Sequence, residues 1–245
     1  MKTTRYELAG LRCVEVAPDD AATRSDLPLV VTLHGLGDWG ESFVDFAPII
    51  SQTAYRFVFP NAPLPLPGAR FQWFRFQPSN FFGGVSQARH HIEGLLAALS
   101  ARYHTPANRI VLSGFSQGAM LTLETGLHYR DTTGKRLAGL IALSGMLVVE
   151  SARTPNFMSP DFKGYYASAS SATTKILTEA AADSLPILVA HGKRDTVVPL
   201  DAGRETVALL QKAGLPVEYT EFNYGHEISI ETVNLIRQFL GKVLK

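Results

Sequence analysis

The segment RIVLSGFSQGAML places a serine in the pattern Gly114-Phe115-Ser116-Gln117-Gly118, with a β-like run before it and a helix-compatible run from Ala119 after it. A serine hydroxyl is a poor nucleophile, so a fold that uses one must project it from a sharp strand-to-helix turn where a base can reach it. The flanking residues must also be small enough for the chain to pass, and Gly114 and Gly118 supply that clearance. With this glycine and serine content the five-residue pattern would arise by chance with a probability of roughly 0.1, so the strand and helix around it carry the weight. The chemistry then needs an acid and a base, in that order, on loops after later strands. PILVAHGKRDTVVP offers Asp195 and VEYTEFNYGHEIS offers His226, each just beyond a strand-like run. A tetrahedral intermediate also needs backbone N–H donors. One is expected from Gln117. The other is expected from the glycine-rich HGLGDWG, with Leu36 the first choice and Gly37 the alternative, while His34 is expected to fix that loop by a hydrogen bond.

Positioning these residues calls for strands whose carboxyl ends face one crevice. Strand-like runs recur at Leu29–Leu33, Arg56–Phe59, Arg109–Leu112, Gly139–Leu143, Ile187–Ala190 and Val217–Phe222. Between them, Ala88, Ile92, Leu95, Leu96, Leu99 and Tyr103 follow one helical stripe, Val207, Leu210 and Gln211 a less clean one, and Val233, Ile236, Leu240 and Val243 a third. Short apolar strands alternating with helices predict an α/β fold with a mostly parallel sheet covered on both faces. Tyr6–Val16 precedes the alternation with a looser pattern and predicts an antiparallel N-terminal edge. The 245 residues predict one domain, with roughly 70–75% of the unfolded surface buried on folding. Residues 145–185 hold no clear strand, and they are read either as a surface excursion with a short helix near Thr174–Ala182 or as a cap over the site.

Composition removes other classes. The chain is 46% hydrophobic and 18% charged with a formal net charge of +1, which offers no field to hold nucleic acid or an anionic membrane. The single cysteine, Cys13, excludes an intrachain disulfide and any multi-cysteine metal site, and its apolar setting predicts a buried structural thiol. No HxxxH or carboxylate cluster suggests a metal, and no cofactor is expected. MKTTRYELAG lacks the apolar stretch of a signal peptide and no run is long enough to span a bilayer, so the expected location is the cytoplasm. The composition suits a homodimer and a monomer equally.

Taken together, HGLGDWGESF, FPNAPLPLP, GFSQGAM, HGKRDTVVPL and GHEIS resemble the carboxylesterase/phospholipase branch of the α/β-hydrolase fold, which includes acyl-protein thioesterases and lysophospholipases. The similarity runs from about residue 29 to the C-terminus. It implies Ser116 as nucleophile, Asp195 as acid, His226 as base, and Leu36 and Gln117 as oxyanion donors. It departs from the family pattern at Ala119, where a second glycine is usual, and at Arg75, where an acid is usual. The expected activity is hydrolysis of short- to medium-chain carboxylic esters through an acyl-enzyme. An acyl-protein thioesterase or lysophospholipase is the alternative, and a non-catalytic binding protein on the same fold a remote one. Six aromatics, Phe71, Trp73, Phe74, Phe76, Phe81 and Phe82, crowd a Pro/Gly-bounded segment. They are read either as the wall of an acyl pocket, with Trp73 and Phe74 as substrate contacts, or as a loop pinned by its own rings.

Overall fold

A computed structural model describes residues 1–24, 27–68, 70–149 and 170–245. The chain opens with a hairpin of β1 (Lys2–Leu8) and β2 (Leu11–Ala17). Its two-residue turn holds Ala9 at φ 52° and Gly10 at φ 76°, the left-handed pair whose twist matches that of the flanking strands. There follow β3 (Leu29–Leu33), α1 (Phe46–Ile50), β4 (Arg56–Pro60), a two-stranded antiparallel ribbon of β5 (Leu64–Leu66) and β6 (Arg70–Gln72), and α2 (Phe81–Tyr103). The second half runs β7 (Ile110–Phe115), α3 (Gln117–His128), β8 (Gly139–Leu143), α4 (Ser171–Ala182), β9 (Ile187–Gly192), α5 (Leu200–Lys212), β10 (Val217–Phe222) and α6 (Ile230–Val243). The middle of the expected cap, residues 150–169, lies outside the described residues, and α4 contains the short helix expected near Thr174.

Eight strands form one sheet in the order β1-β2-β4-β3-β7-β8-β9-β10. β1, β2 and β4 pair antiparallel, and every pairing from β4 to β10 is parallel, so the expected mostly parallel sheet with an antiparallel N-terminal edge is what forms. This is the arrangement that the resemblance to the α/β-hydrolases implies. β4, β8 and β9 are buried at every residue, as continuous apolar runs between two helical layers must be. On one face the core joins Ile92, Leu96 and Leu99 of α2, Leu121 and Leu123 of α3, Leu177 of α4 and Leu210 of α5. On the other it joins Ala47 of α1 to Ile236, Phe239 and Leu240 of α6. Cys13 is buried in β2, where desolvation pushes its thiol up to about 12, consistent with a structural role.

The chain passes from β3 to β4 on one side and returns as β7 on the other, so strand order reverses between β3 and β7. A crevice opens beyond the carboxyl ends of strands at such a reversal. The loop after β3 carries Leu36 and the turn after β7 carries Ser116, one on each side of it.

Candidate active site

Ser116 stands between β7 and α3 at φ 55°, ψ −118°, a left-handed backbone unusual for a residue with a side chain. Close approach on every side enforces it. A Cβ on Gly114 would lie 2.3 Å from the Gly118 carbonyl oxygen, and one on Gly118 would lie 2.2 Å from the Leu33 oxygen and 2.7 Å from the His34 oxygen. The Ser116 N–H donates to the Leu143 carbonyl at 2.9 Å, tying the turn to the end of β8. Ser116 is buried, with 8% of its surface exposed.

Asp195 and His226 come from the loops after β9 and β10 and meet in a 2.7 Å hydrogen bond from His226 Nδ1 to Asp195 Oδ2. The Asp195 side chain is fully buried, and its other oxygen accepts the N–H groups of Val197 at 2.9 Å and Val198 at 2.8 Å. Burial by itself would raise this carboxyl. The His226 hydrogen bond and the Val198 and Val197 N–H groups outweigh it and hold Asp195 below the usual carboxylate range. An ionised Asp195 fixes the proton of His226 on Nδ1 and leaves Nε2 as a bare acceptor. The Phe115 ring, one residue from the serine, lies 4.7 Å from the imidazole.

Sequence reasoning passed over His191, at the end of β9. Its Nε2 donates to the Val198 carbonyl at 2.9 Å and lies 3.5 Å from Asp195 Oδ2, so it braces the loop that carries Asp195. Burial holds this imidazole below its ordinary pKa and keeps it neutral. The HG pair that opens HGKRD was the available signal, since a histidine buried at a strand end needs a partner close by.

The loop after β3 is held by His34, as expected. Its Nδ1 donates to the Gly35 carbonyl at 2.7 Å and its Nε2 accepts the Ala62 N–H at 3.0 Å, a pattern that requires the neutral ring. Burial lowers the His34 pKa and favours that state. Of the two candidate donors here, the Gly37 N–H is engaged with the Phe71 carbonyl at 2.9 Å. The N–H of Leu36, and that of Gln117 at the first turn of α3, have no backbone or side-chain acceptor among the described residues.

In the aromatic segment, the two residues expected as substrate contacts are buried, while Phe76 is exposed. Trp73 and Phe74 are each 1% exposed and face the core, where Phe74 packs on Phe81 at 5.7 Å between ring centroids and Phe76 packs on both. Their polar groups bond to His34 and Gln117. The Trp73 indole N–H donates to the His34 carbonyl at 2.9 Å, its backbone N–H donates to Gln117 Oε1 at 2.8 Å, and Gln117 Nε2 donates to the Phe74 carbonyl at 2.8 Å. Apolar surface this large is worth more inside than at a solvated rim; Phe74 is pinned by rings of its own segment, whereas the ring beside Trp73 is the His34 imidazole.

Among the described residues no group of three or more His, Cys, Asp or Glu is placed to hold a metal ion, and no helix is long and apolar enough to cross a membrane.

A family model described as Phospholipase/Carboxylesterase matches residues 15–244. Acyl-protein thioesterase 1 homolog 1 of Dictyostelium discoideum is 28% identical over 229 residues, covering 88% of this chain and 90% of its own length. A probable carboxylesterase of Oryza sativa subsp. japonica is 30% identical over 245 residues, covering 94% of this chain and 82% of its own. The crystal structure of esterase PE8 aligns over the whole of both chains with a TM-score of 0.72 at 24% identity. A carboxylesterase from Mesorhizobium loti aligns over 98% of this chain and 99% of its own with a TM-score of 0.72 at 18% identity. At such identities the two structures speak to the fold alone.

Proposed function

This chain belongs to the phospholipase/carboxylesterase family of α/β-hydrolase enzymes, and on that premise we propose that it is a serine carboxylesterase acting on short- to medium-chain acyl esters through an acyl-enzyme. The observation that carries the reading is the 2.7 Å bond from His226 Nδ1 to Asp195, which leaves Nε2 free to accept a proton. Ser116 Oγ attacks the acyl carbonyl as His226 Nε2 takes its proton, and buried Asp195 stabilises the imidazolium that forms. The unpaired N–H groups of Leu36 and Gln117 receive the oxyanion. His226 returns the proton to the departing alcohol, then takes one from the water that attacks the acyl carbon and passes it to Ser116 Oγ as the acid leaves. None of these steps calls on a cofactor.

A second reading, toward long acyl chains carried as thioesters or lysophospholipids, has its own support. Leu36, Trp39, Val197 and Ile230 are 49%, 40%, 58% and 58% exposed, and in sequence Trp39 follows Leu36, Val197 follows Asp195 and Ile230 follows His226 within four residues. Exposed apolar side chains next in sequence to the proposed site residues suit an apolar substrate. The two readings separate in a series of p-nitrophenyl esters from acetyl to palmitoyl, run beside palmitoyl thioesters and lysophosphatidylcholine. A kcat/KM optimum at eight carbons or fewer is expected. An optimum at palmitoyl, or turnover of thioesters alone, would replace the first reading with the second.

A further inference from the structure

We infer that the segment Phe71–Phe74 sets the spacing of the two oxyanion donors, with Trp73 and the Gln117 side chain as positioning residues. The inference rests on the serine-hydrolase reading of Ser116, Leu36 and Gln117. The two donors sit on different elements, the loop after β3 and the first turn of α3. An oxyanion hole works only when both N–H groups lie about 2.7–3.1 Å from the same point. Steric contact limits how near these elements can come, because the Leu33 and His34 carbonyls already press on Gly118. Contact cannot limit how far apart they drift.

The 71–74 segment supplies that second limit. On the loop side, the Gly37 N–H donates to the Phe71 carbonyl at 2.9 Å and the Phe71 N–H donates to the Asp38 carbonyl at 3.2 Å, so the chain just after Leu36 is fastened to Phe71. The chain just before Leu36 is fastened to Trp73, whose indole N–H reaches the His34 carbonyl and whose ring lies 5.1 Å from the imidazole. On the helix side, the Gln117 carboxamide grips the same stretch with both ends, accepting from the Trp73 N–H and donating to the Phe74 carbonyl, each at 2.8 Å. His34, Trp73, Phe74 and Gln117 are all at most 1% exposed, so water does not compete for these bonds. Gln117 thereby acts twice. Its backbone N–H faces the oxyanion and its side chain holds the distance to the opposite donor.

The test uses Gln117→Met, which keeps length and the backbone N–H but removes both polar ends, and Trp73→Phe, which removes only the indole donor. Each is assayed on a p-nitrophenyl ester and on its thiono analogue, in which sulfur replaces the carbonyl oxygen. Well-placed N–H donors favour oxygen, so the oxygen-to-sulfur rate ratio reads the hole itself, and a merely structural loss would not move it. For Gln117→Met we expect kcat to fall about 10- to 100-fold with KM little changed, and the rate ratio to fall with it. Trp73→Phe should shift both in the same direction by a smaller factor, and it keeps the test alive should the Gln117 variant not fold. If both folded variants keep the wild-type kcat and rate ratio while Ser116 still reacts with a fluorophosphonate, the segment is scaffold and this inference is overturned alone. If wild type itself fails to react, or Ser116→Ala turns over at the wild-type rate, the underlying reading fails and takes the inference with it.

Discussion

The elbow at Ser116 and the Asp195–His226 pair are held by opposite means. Ser116 owes its place to backbone crowding: the carbonyls of Leu33, His34 and Gly118 leave no room for a Cβ at the neighbouring glycines. Asp195 and His226 lie near the C-terminal edge of the sheet on loops, and side-chain hydrogen bonds to each other and to Val197 and Val198 fix them. The contrast teaches that the position of Ser116 is part of the fold, whereas the Asp195–His226 pair is added to it. Substitutions in the first region should lower stability and activity together. Substitution of His226 in the second should lower activity far more than stability.

The sharpest separation is expected from His226→Ala. Its kcat should fall about 10⁴-fold or more, since the parts of the proposed triad act as a unit, while the urea midpoint falls only modestly, because the His226 side chain is 16% exposed and Asp195 keeps the Val197 and Val198 N–H groups. A large loss of stability would erase the contrast. Gly118→Ala should do the reverse, costing about 3 kcal/mol of unfolding free energy by forcing a methyl against two backbone carbonyls, with activity lost as the elbow shifts. An alanine variant as stable as wild type in urea would refute the crowding argument.

Acid sharpens the comparison further. Burial holds His34 and His191 below their ordinary value of 6.5. Above that value both folded and unfolded chains carry them neutral, and stability is flat. Below it the unfolded chain binds protons that the folded chain refuses, so stability falls by up to about 1.4 kcal/mol per pH unit for each histidine until the folded pKa is reached. Asp195 acts with the same sign at lower pH: its folded pKa is depressed, so its contribution is present above 3.8 and lost as pH falls through the folded value. Urea midpoints that stay constant from pH 7 to 5 would contradict the neutral, buried state of both rings. The smallest effect belongs to Gly37→Ala. Gly37 has φ 79° with open space around it, so the variant should lose about 1 kcal/mol of stability from backbone strain alone, readable as a small drop in Tm.

Much of this was legible in the sequence where one physical cause dominated. Leu29–Leu33, Gly139–Leu143 and Val217–Phe222 are strands with the bounds expected of them, the first two because short apolar runs buried on both faces have few alternatives. Arg109–Leu112 fell short because β7 continues to Phe115, straight into the elbow, through a serine and a glycine that do not look like strand residues. The β5–β6 ribbon was missed, since proline-rich FPNAPLPLP reads as a turn and only tertiary pairing of Leu64–Leu66 with Arg70–Gln72 makes it a ribbon. The α5 stripe was blurred because Ala202, Gly203 and Thr206 are buried alongside Val207 and Leu210, while Gln211, counted on the stripe, is exposed. At the site, Asp195 and His226 were picked from their spacing after strands, and the structure joins the two by a hydrogen bond. The side-chain bonds of Gln117 and the burial of Trp73 were not readable, because they depend on which distant segments the sheet brings together.

The central claim is that Ser116 is an activated nucleophile, and intact-mass measurement after treatment with a fluorophosphonate tests it most directly. The account predicts one covalent adduct per chain on the wild-type protein, mapped to Ser116, and none on Ser116→Ala. An unlabelled wild type, or equal labelling of both proteins, would contradict it.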